Sequence, residues 1–186
     1  MKIYFFGGTF DPPHKGHMLI YQHCLNLCDK FIFIPAKLSP GKNKPLASCQ
    51  QRLDMLQILL KKNGNKLKTI IDNYEISSKS EISYTIDTII YLKNKYPKSD
   101  LNMVIGYDQY LSINKWKNHL NILDNVNIVC FNRNSTNSKE NIIDLRCNIS
   151  SSQIRSSIKT NKISNLDKYI DNDVLSYIIE NNIYKN

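Results

Sequence analysis

Residues 1–20 read MKIYFFGGTFDPPHKGHMLI, and the change of character inside this stretch decides the fold. Lys2 to Phe6 is a short apolar run suited to a strand. Gly7, Gly8, Thr9, Asp11, two prolines, His14, Gly16 and His17 break that run, and apolar residues resume from Met18 with helical spacing. Glycine lets a backbone pass close to a bulky group and adopt positive φ. The first turn of a helix presents unpaired N–H groups and the positive end of a dipole, so it favours an anion. His14 and His17, three apart around Gly16, put two imidazoles on one side of that turn, and Thr9 adds a hydroxyl. The combination predicts the floor of a phosphate-binding site.

Outward from this stretch, strand-like and helix-like segments alternate. A helix is predicted over His17–Cys28, a buried strand over FIFIPA (31–36), and a loop over LSPGKNKPLAS (38–48). Ser48 caps a helix over QQRLDMLQILLKK, with Leu53, Leu56 and Leu60 sharing a face. TIIDNYEI (69–76) reads as a strand. A helix runs from about Tyr84 to Lys95 and stops at Tyr96–Pro97. LNMVIG (101–106) and NIVCFNR (127–133) are strands around a segment containing Trp116, and NSTNSKEN (134–141) is a polar connection. IIDL (142–145) is a short strand, ISSSQIRSSI opens a serine-capped helix, and DNDVLSYIIENN (171–182) is a last helix capped by aspartate. Such alternation predicts an α/β protein with a doubly wound parallel sheet and helices on both faces. The expectation is a single domain over residues 1–186, with 150–186 its C-terminal helical part. Ligands in such sheets bind beyond the carboxyl ends of the strands, where GGTFDPPHKGH, PAKLSPGK and GYDQY all fall.

With 186 residues, 41% hydrophobic and 22% charged, the chain can bury one ordinary core and is far from disordered composition. No signal-peptide pattern and no apolar run of about 18 residues is present, so a cytoplasmic protein without membrane attachment is expected. Five cysteines, at 24, 28, 49, 130 and 147, include no CxxC pair. They are expected to be buried, reduced thiols rather than metal ligands. The formal charge of +9, from 25 basic and 16 acidic side chains, admits anionic partners. Its lysines are scattered, which disfavours a nucleic-acid surface built from basic stripes and interleaved aromatics. The sequence does not fix the oligomeric state, and a homo-oligomer is compatible with it.

GGTFDPPHKGH (7–17) resembles the GxFxPxHxGH motif of the nucleotidyltransferase superfamily, and ISSSQIR (149–155) resembles its second motif, ISSTxIR. SYT (83–85), IGYDQ (105–109), the Trp116 segment, NIVCFNR and VLSYIIENNIY (174–184) follow in the order and spacing of bacterial nicotinate-nucleotide adenylyltransferases. That resemblance covers most of the chain and implies a Rossmann-like fold of the HIGH-type nucleotidyltransferases. It further implies adenylyl transfer from ATP to nicotinate mononucleotide, giving nicotinate adenine dinucleotide and pyrophosphate in NAD biosynthesis, with Mg²⁺ carried mainly on phosphates and water.

The resemblance also implies roles by position. Gly8, Thr9 and Phe10 would line the nucleotide crevice, while His14 and His17 would contact ATP phosphates and act in catalysis. Arg155 would bind the β- and γ-phosphates and complete the catalytic set, helped by Ile149, Ser151 and Ser152. Gly106 and Asp108 would meet the adenosine ribose. Trp116 would stack on the nicotinate ring, with Thr85 and the amide of Lys117 receiving its carboxylate. The loop SPGK (39–42) departs from the family's PPHK by Gly41 in place of histidine, but Lys42 still matches as a phosphate contact. Arg133 is a further phosphate candidate. A nicotinamide-nucleotide enzyme and phosphopantetheine adenylyltransferase are the nearest alternatives, and the latter would not call for SYT and Trp116.

Overall fold

The computed structural model of the protein describes residues 1–132, 142–144 and 149–185. In its first half β1 (Lys2–Gly8), α1 (Lys15–Leu25), β2 (Lys30–Pro35), α2 (Cys49–Asn63) and β3 (Thr69–Ile71) alternate as expected. A single turn, α3 (Tyr74–Ser77), precedes α4 (Thr85–Lys95) and β4 (Asp100–Gly106). The crossover to β5 (Asn127–Asn132) holds α5 (Tyr107–Tyr110), a 3₁₀ turn at Ile113–Lys115 and α6 (His119–Asn125). Then come β6 (Ile142–Asp144), α7 (Ser151–Lys159), a 3₁₀ turn at Leu166–Lys168 and α8 (Asn172–Glu180).

All six strands pair in parallel, in the order β3-β2-β1-β4-β5-β6. The winding reverses between β1 and β4, the position at which doubly wound sheets place their ligands. Successive side chains of a strand point to opposite faces. Tyr4, Phe6, Phe31, Phe33, Val104 and Phe131 accordingly join α1, α2, α7 and α8 in one core. Ile3, Phe5, Ile32, Ile34, Leu101, Met103 and Ile105 join α4 and α6 in the other. Helices therefore cover both faces, and four consecutive residues of β1, Ile3 to Phe6, are all buried.

Three elements depart from expectation. Strand β3 stops at Ile71 because the Asp72 carboxylate accepts the Tyr74 N–H at 3.0 Å, an aspartate turn that diverts the chain into α3. Helix α6 was not foreseen. The buried stripe of α2 is Arg52, Met55, Leu56 and Leu59, one step round from the expected Leu53, Leu56 and Leu60. Arg133, residues 134–141, Leu145 and Cys147 lie outside the described residues. The other four cysteines are free, and burial together with the charge of Cys28 pushes the Cys24 thiol up to about 12. Among the described residues, no helix is long and apolar enough to cross a membrane.

Candidate active site

The site begins where β1 ends. Neither Gly7 nor Gly8 takes the positive φ expected of them, since Gly41 is the one positive-φ glycine among the described residues. A Cβ on Gly8 would instead lie 3.0 Å from Cζ of the Phe10 ring, which folds back over the strand. Phe10 itself takes the left-handed turn, at φ 50°. Its ring is buried against Phe6, Phe33 and His17, so the part of Phe10 left for a ligand is its main chain.

His14 and His17 form a reciprocal cap on α1. The Gly16 N–H donates to His14 Nδ1 and the His14 N–H donates to His17 Nδ1, each at 3.1 Å. A neutral imidazole that accepts at Nδ1 carries its proton on Nε2, so two backbone amides set the tautomer of both rings. The rings stack with centroids 3.8 Å apart and 28° between planes. The helix start thus holds two stacked imidazoles whose donor atom is Nε2.

Helix α7 is hooked to this turn from the far end of the chain. Arg155 Nη1 donates to the Asp11 carbonyl at 2.6 Å, and Ser151 Oγ donates to the Pro12 carbonyl at 2.9 Å. Ser150 caps α7 in a box with Gln153, its hydroxyl lies 2.9 Å from that of Ser152, and Ile149 just before it is buried. The two motifs of the sequence therefore meet, with the start of α7 bonded to the turn that leads into α1.

At the end of β4, Gly106 leaves room for Asp108, whose Oδ1 would be 2.7 Å from a Cβ at that position. Asp108 is exposed. Across the same sheet edge, Thr85 is the first residue of α4 and Trp116 is half-buried on the core that also receives Tyr84. Lys117 Nζ lies 4.2 Å from the Tyr84 ring centroid, which sets the Trp116–Lys117 segment beside the start of α4. Lys42 is exposed on its loop, and its N–H bonds the Ser39 carbonyl at 3.2 Å. Gly41 sits at φ 69°, a conformation that favours glycine over the histidine of the motif.

Residues 5–157 match the family described as cytidylyltransferase-like. Proteins named "probable nicotinate-nucleotide adenylyltransferase" from Hydrogenobaculum and from Borrelia turicatae are each 37% identical, over 99% of this chain and 98% of theirs. The chain belongs to this adenylyltransferase family. Two solved structures of the Plasmodium falciparum nicotinic acid mononucleotide adenylyltransferase share its fold. The complex with NaAD has a TM-score of 0.84 at 22% identity, covering 98% of this chain and 97% of that one. The complex with APC has a TM-score of 0.81 at the same identity, covering 98% and 96%.

Two charged residues of this family member escaped the sequence argument although they frame the site. Arg52 is wholly buried, and its Nη1 donates to the carbonyls of Thr9 at 2.7 Å and Ala36 at 2.6 Å, tying the loops after β1 and β2 together. Its place at the head of the Arg52, Met55, Leu56, Leu59 stripe was the available signal. Asp11 is also buried, with Oδ2 accepting from the Leu46 N–H at 2.9 Å and Oδ1 from the Ala47 N–H at 3.1 Å. No local pattern announces it, because its partners come from a distant loop.

Proposed function

We propose that this chain transfers the adenylyl group of ATP to nicotinate mononucleotide, giving nicotinate adenine dinucleotide and pyrophosphate in NAD biosynthesis. The observation that carries the reading is the hydrogen bonding of Arg155 and Ser151 to the Asp11–Pro12 turn, directly before the His14–His17 pair. One polyphosphate can then touch both helix starts. Full-length relatives named for the same reaction support the choice of substrates.

A phosphate oxygen of nicotinate mononucleotide attacks the α-phosphorus of ATP. The bond to the α–β bridging oxygen breaks, and pyrophosphate leaves with that electron pair. Catalysis of this kind rests on positioning and on donors aimed at developing charge. Alignment alone can be worth roughly 7–11 kcal/mol of barrier. His14 and His17 donate from Nε2 to the phosphoryl oxygens, and neutral donors do so without a proton changing hands. Arg155 takes the β- and γ-phosphates, with Ser151, Ser152 and the amides after Ile149. Gly8, Thr9 and Phe10 supply main chain to the crevice, Asp108 beside Gly106 meets the ribose, and Lys42 reaches in from its loop. Trp116 stacks on the nicotinate ring while Thr85 and the Lys117 amide receive its carboxylate.

Mg²⁺ would arrive on ATP. Among the described residues no group of three or more His, Cys, Asp or Glu is placed to hold a metal, and both Asp11 oxygens are engaged by amides. This donor set suits an ion resting on phosphates and water, where it offsets phosphate charge. The proposed setting is the cytoplasm.

The test mixes purified protein and MgATP with nicotinate mononucleotide, nicotinamide mononucleotide or phosphopantetheine, and measures pyrophosphate. Release with the nicotinate substrate is expected to exceed the other two. Release with another acceptor and none with nicotinate mononucleotide would overturn the assignment.

A further inference from the structure

The Asp11 carboxylate stands between the two halves of the proposed triphosphate site, and its third hydrogen bond comes from an unexpected place. Tyr184, 173 residues away, donates its hydroxyl to Asp11 Oδ1 at 2.6 Å, the shortest contact that carboxylate makes. The residue is buried, yet its φ is 69°. A bulky side chain in the left-handed region is strained and persists where surroundings over-determine it, commonly at functional sites. Burial and the Asp11 charge hold the phenol far above its ordinary range, so it keeps its proton and remains a donor.

Asp11 Oδ2 lies 3.9 Å from Arg155 Nη1, while that same nitrogen donates to the Asp11 carbonyl. The carboxylate and an ATP phosphate would therefore compete for one guanidinium. Hydrogen bonds from Tyr184, Leu46 and Ala47 spread and orient the negative charge, and so limit its pull on Arg155.

We propose that Tyr184 is a positioning residue for Arg155, acting through Asp11 to keep the guanidinium available to the β- and γ-phosphates of ATP. This inference rests on the adenylyltransfer reading of the site. In the Tyr184→Phe protein, Oδ1 loses its strongest donor and Asp11 draws Arg155 into a closer ion pair. The KM for ATP is then expected to rise about tenfold, the worth of one hydrogen bond to a charged group, with the KM for nicotinate mononucleotide within about twofold of wild type.

The test is a double-mutant cycle on the full chain, read by pyrophosphate release and by calorimetric binding of the magnesium complex of a non-cleavable ATP analogue. In an Arg155→Ala background, Tyr184→Phe is expected to change nucleotide affinity less than twofold. An equal penalty with and without Arg155, or an unchanged ATP KM in folded Tyr184→Phe protein, would overturn the proposal. If Tyr184→Phe does not fold, Leu46→Pro removes a different donor from the same carboxylate at an exposed position. It should show the same Arg155-dependent loss, and an Arg155-independent or absent effect overturns the proposal equally. Wild-type protein that binds the analogue but releases no pyrophosphate would sink the reaction and leave the coupling intact. Protein that binds no adenine nucleotide would remove both.

Discussion

His14 has one task the structure shows, capping α1 through Nδ1, and a second that the proposed reaction assigns to its Nε2 proton. His14→Ala should lose both, at a stability cost of about 0.5–2 kcal/mol for the missing cap. His14→Asn can still accept from the Gly16 N–H, so urea denaturation should find it within about 0.5 kcal/mol of wild type. Both variants should lose about 10²–10³-fold in kcat, the usual effect of deleting one donor to developing charge. Full turnover in His14→Asn would reduce this imidazole to a cap. Gly106→Ala tests a second position, since its Cβ would meet Asp108 Oδ1 at 2.7 Å. Asp108 must swing away, and the KM for ATP should rise severalfold with little change in Tm. An unaltered KM would disconnect Asp108 from the nucleotide. The residues legible in the sequence, His14, His17, Ser151 and Arg155, are those whose neighbours in the chain form a motif. Asp11, Arg52 and Tyr184 were not legible in these roles, because their partners are main-chain groups or side chains supplied by distant loops.

Among the elements, the segment joining β3 to α4 shows how a short side-chain contact can override an apolar pattern. TIIDNYEI looks like a strand, but the Asp72–Tyr74 turn ends it and sends Glu75 into the interior, where the Thr88 hydroxyl donates to it at 2.5 Å. Burial raises the Glu75 carboxyl above its ordinary 4.5, with hydrogen bonds from Thr88 and Ser83 opposing the rise. An acid whose folded pKa is raised binds its proton more tightly in the native state. Its contribution to stability therefore falls as pH climbs from about 4.5 through the higher native value. Glu75→Gln keeps an acceptor for Thr88 and removes that titration. Its stability relative to wild type should improve between pH 4 and pH 8 in denaturant titrations, and a pH-independent difference would show that the Glu75 carboxyl titrates alike in the folded and unfolded chain. The serine and aspartate caps of α2, α7 and α8 were readable because Ser48, Ser150 and Asp171 each satisfy an N–H a few residues ahead. Helix α6 was not, since Asn118 before it is left-handed and makes no side-chain cap.

Across the whole molecule, the alternation of strands and helices announced a doubly wound sheet, whereas the order β3-β2-β1-β4-β5-β6 depends on long-range pairing that no local pattern encodes. That order brings β1 and β4 side by side, and Ser151 and Arg155 of α7 bond the turn that follows β1, so the site is assembled from segments spanning nearly the full length of the chain. Ligand bound there should stabilise the molecule as a unit and not one helix alone. With MgATP at a hundred times its Kd, linkage adds about 2.7 kcal/mol. For a chain of this size, that corresponds to a Tm rise of roughly 5–11 °C. The Arg155→Ala protein should lose most of this shift at the same concentration, because the guanidinium proposed to hold the β- and γ-phosphates is gone. The charge of +9 supplies the control. A polymer-binding surface would release many counterions and weaken steeply with salt, whereas a site for one triphosphate engages few charges and should keep most of its Tm shift between about 50 and 200 mM salt. A larger stabilisation by single-stranded nucleic acid than by MgATP, abolished over that salt range, would assign the basic surface to a polymer and remove ATP from the site.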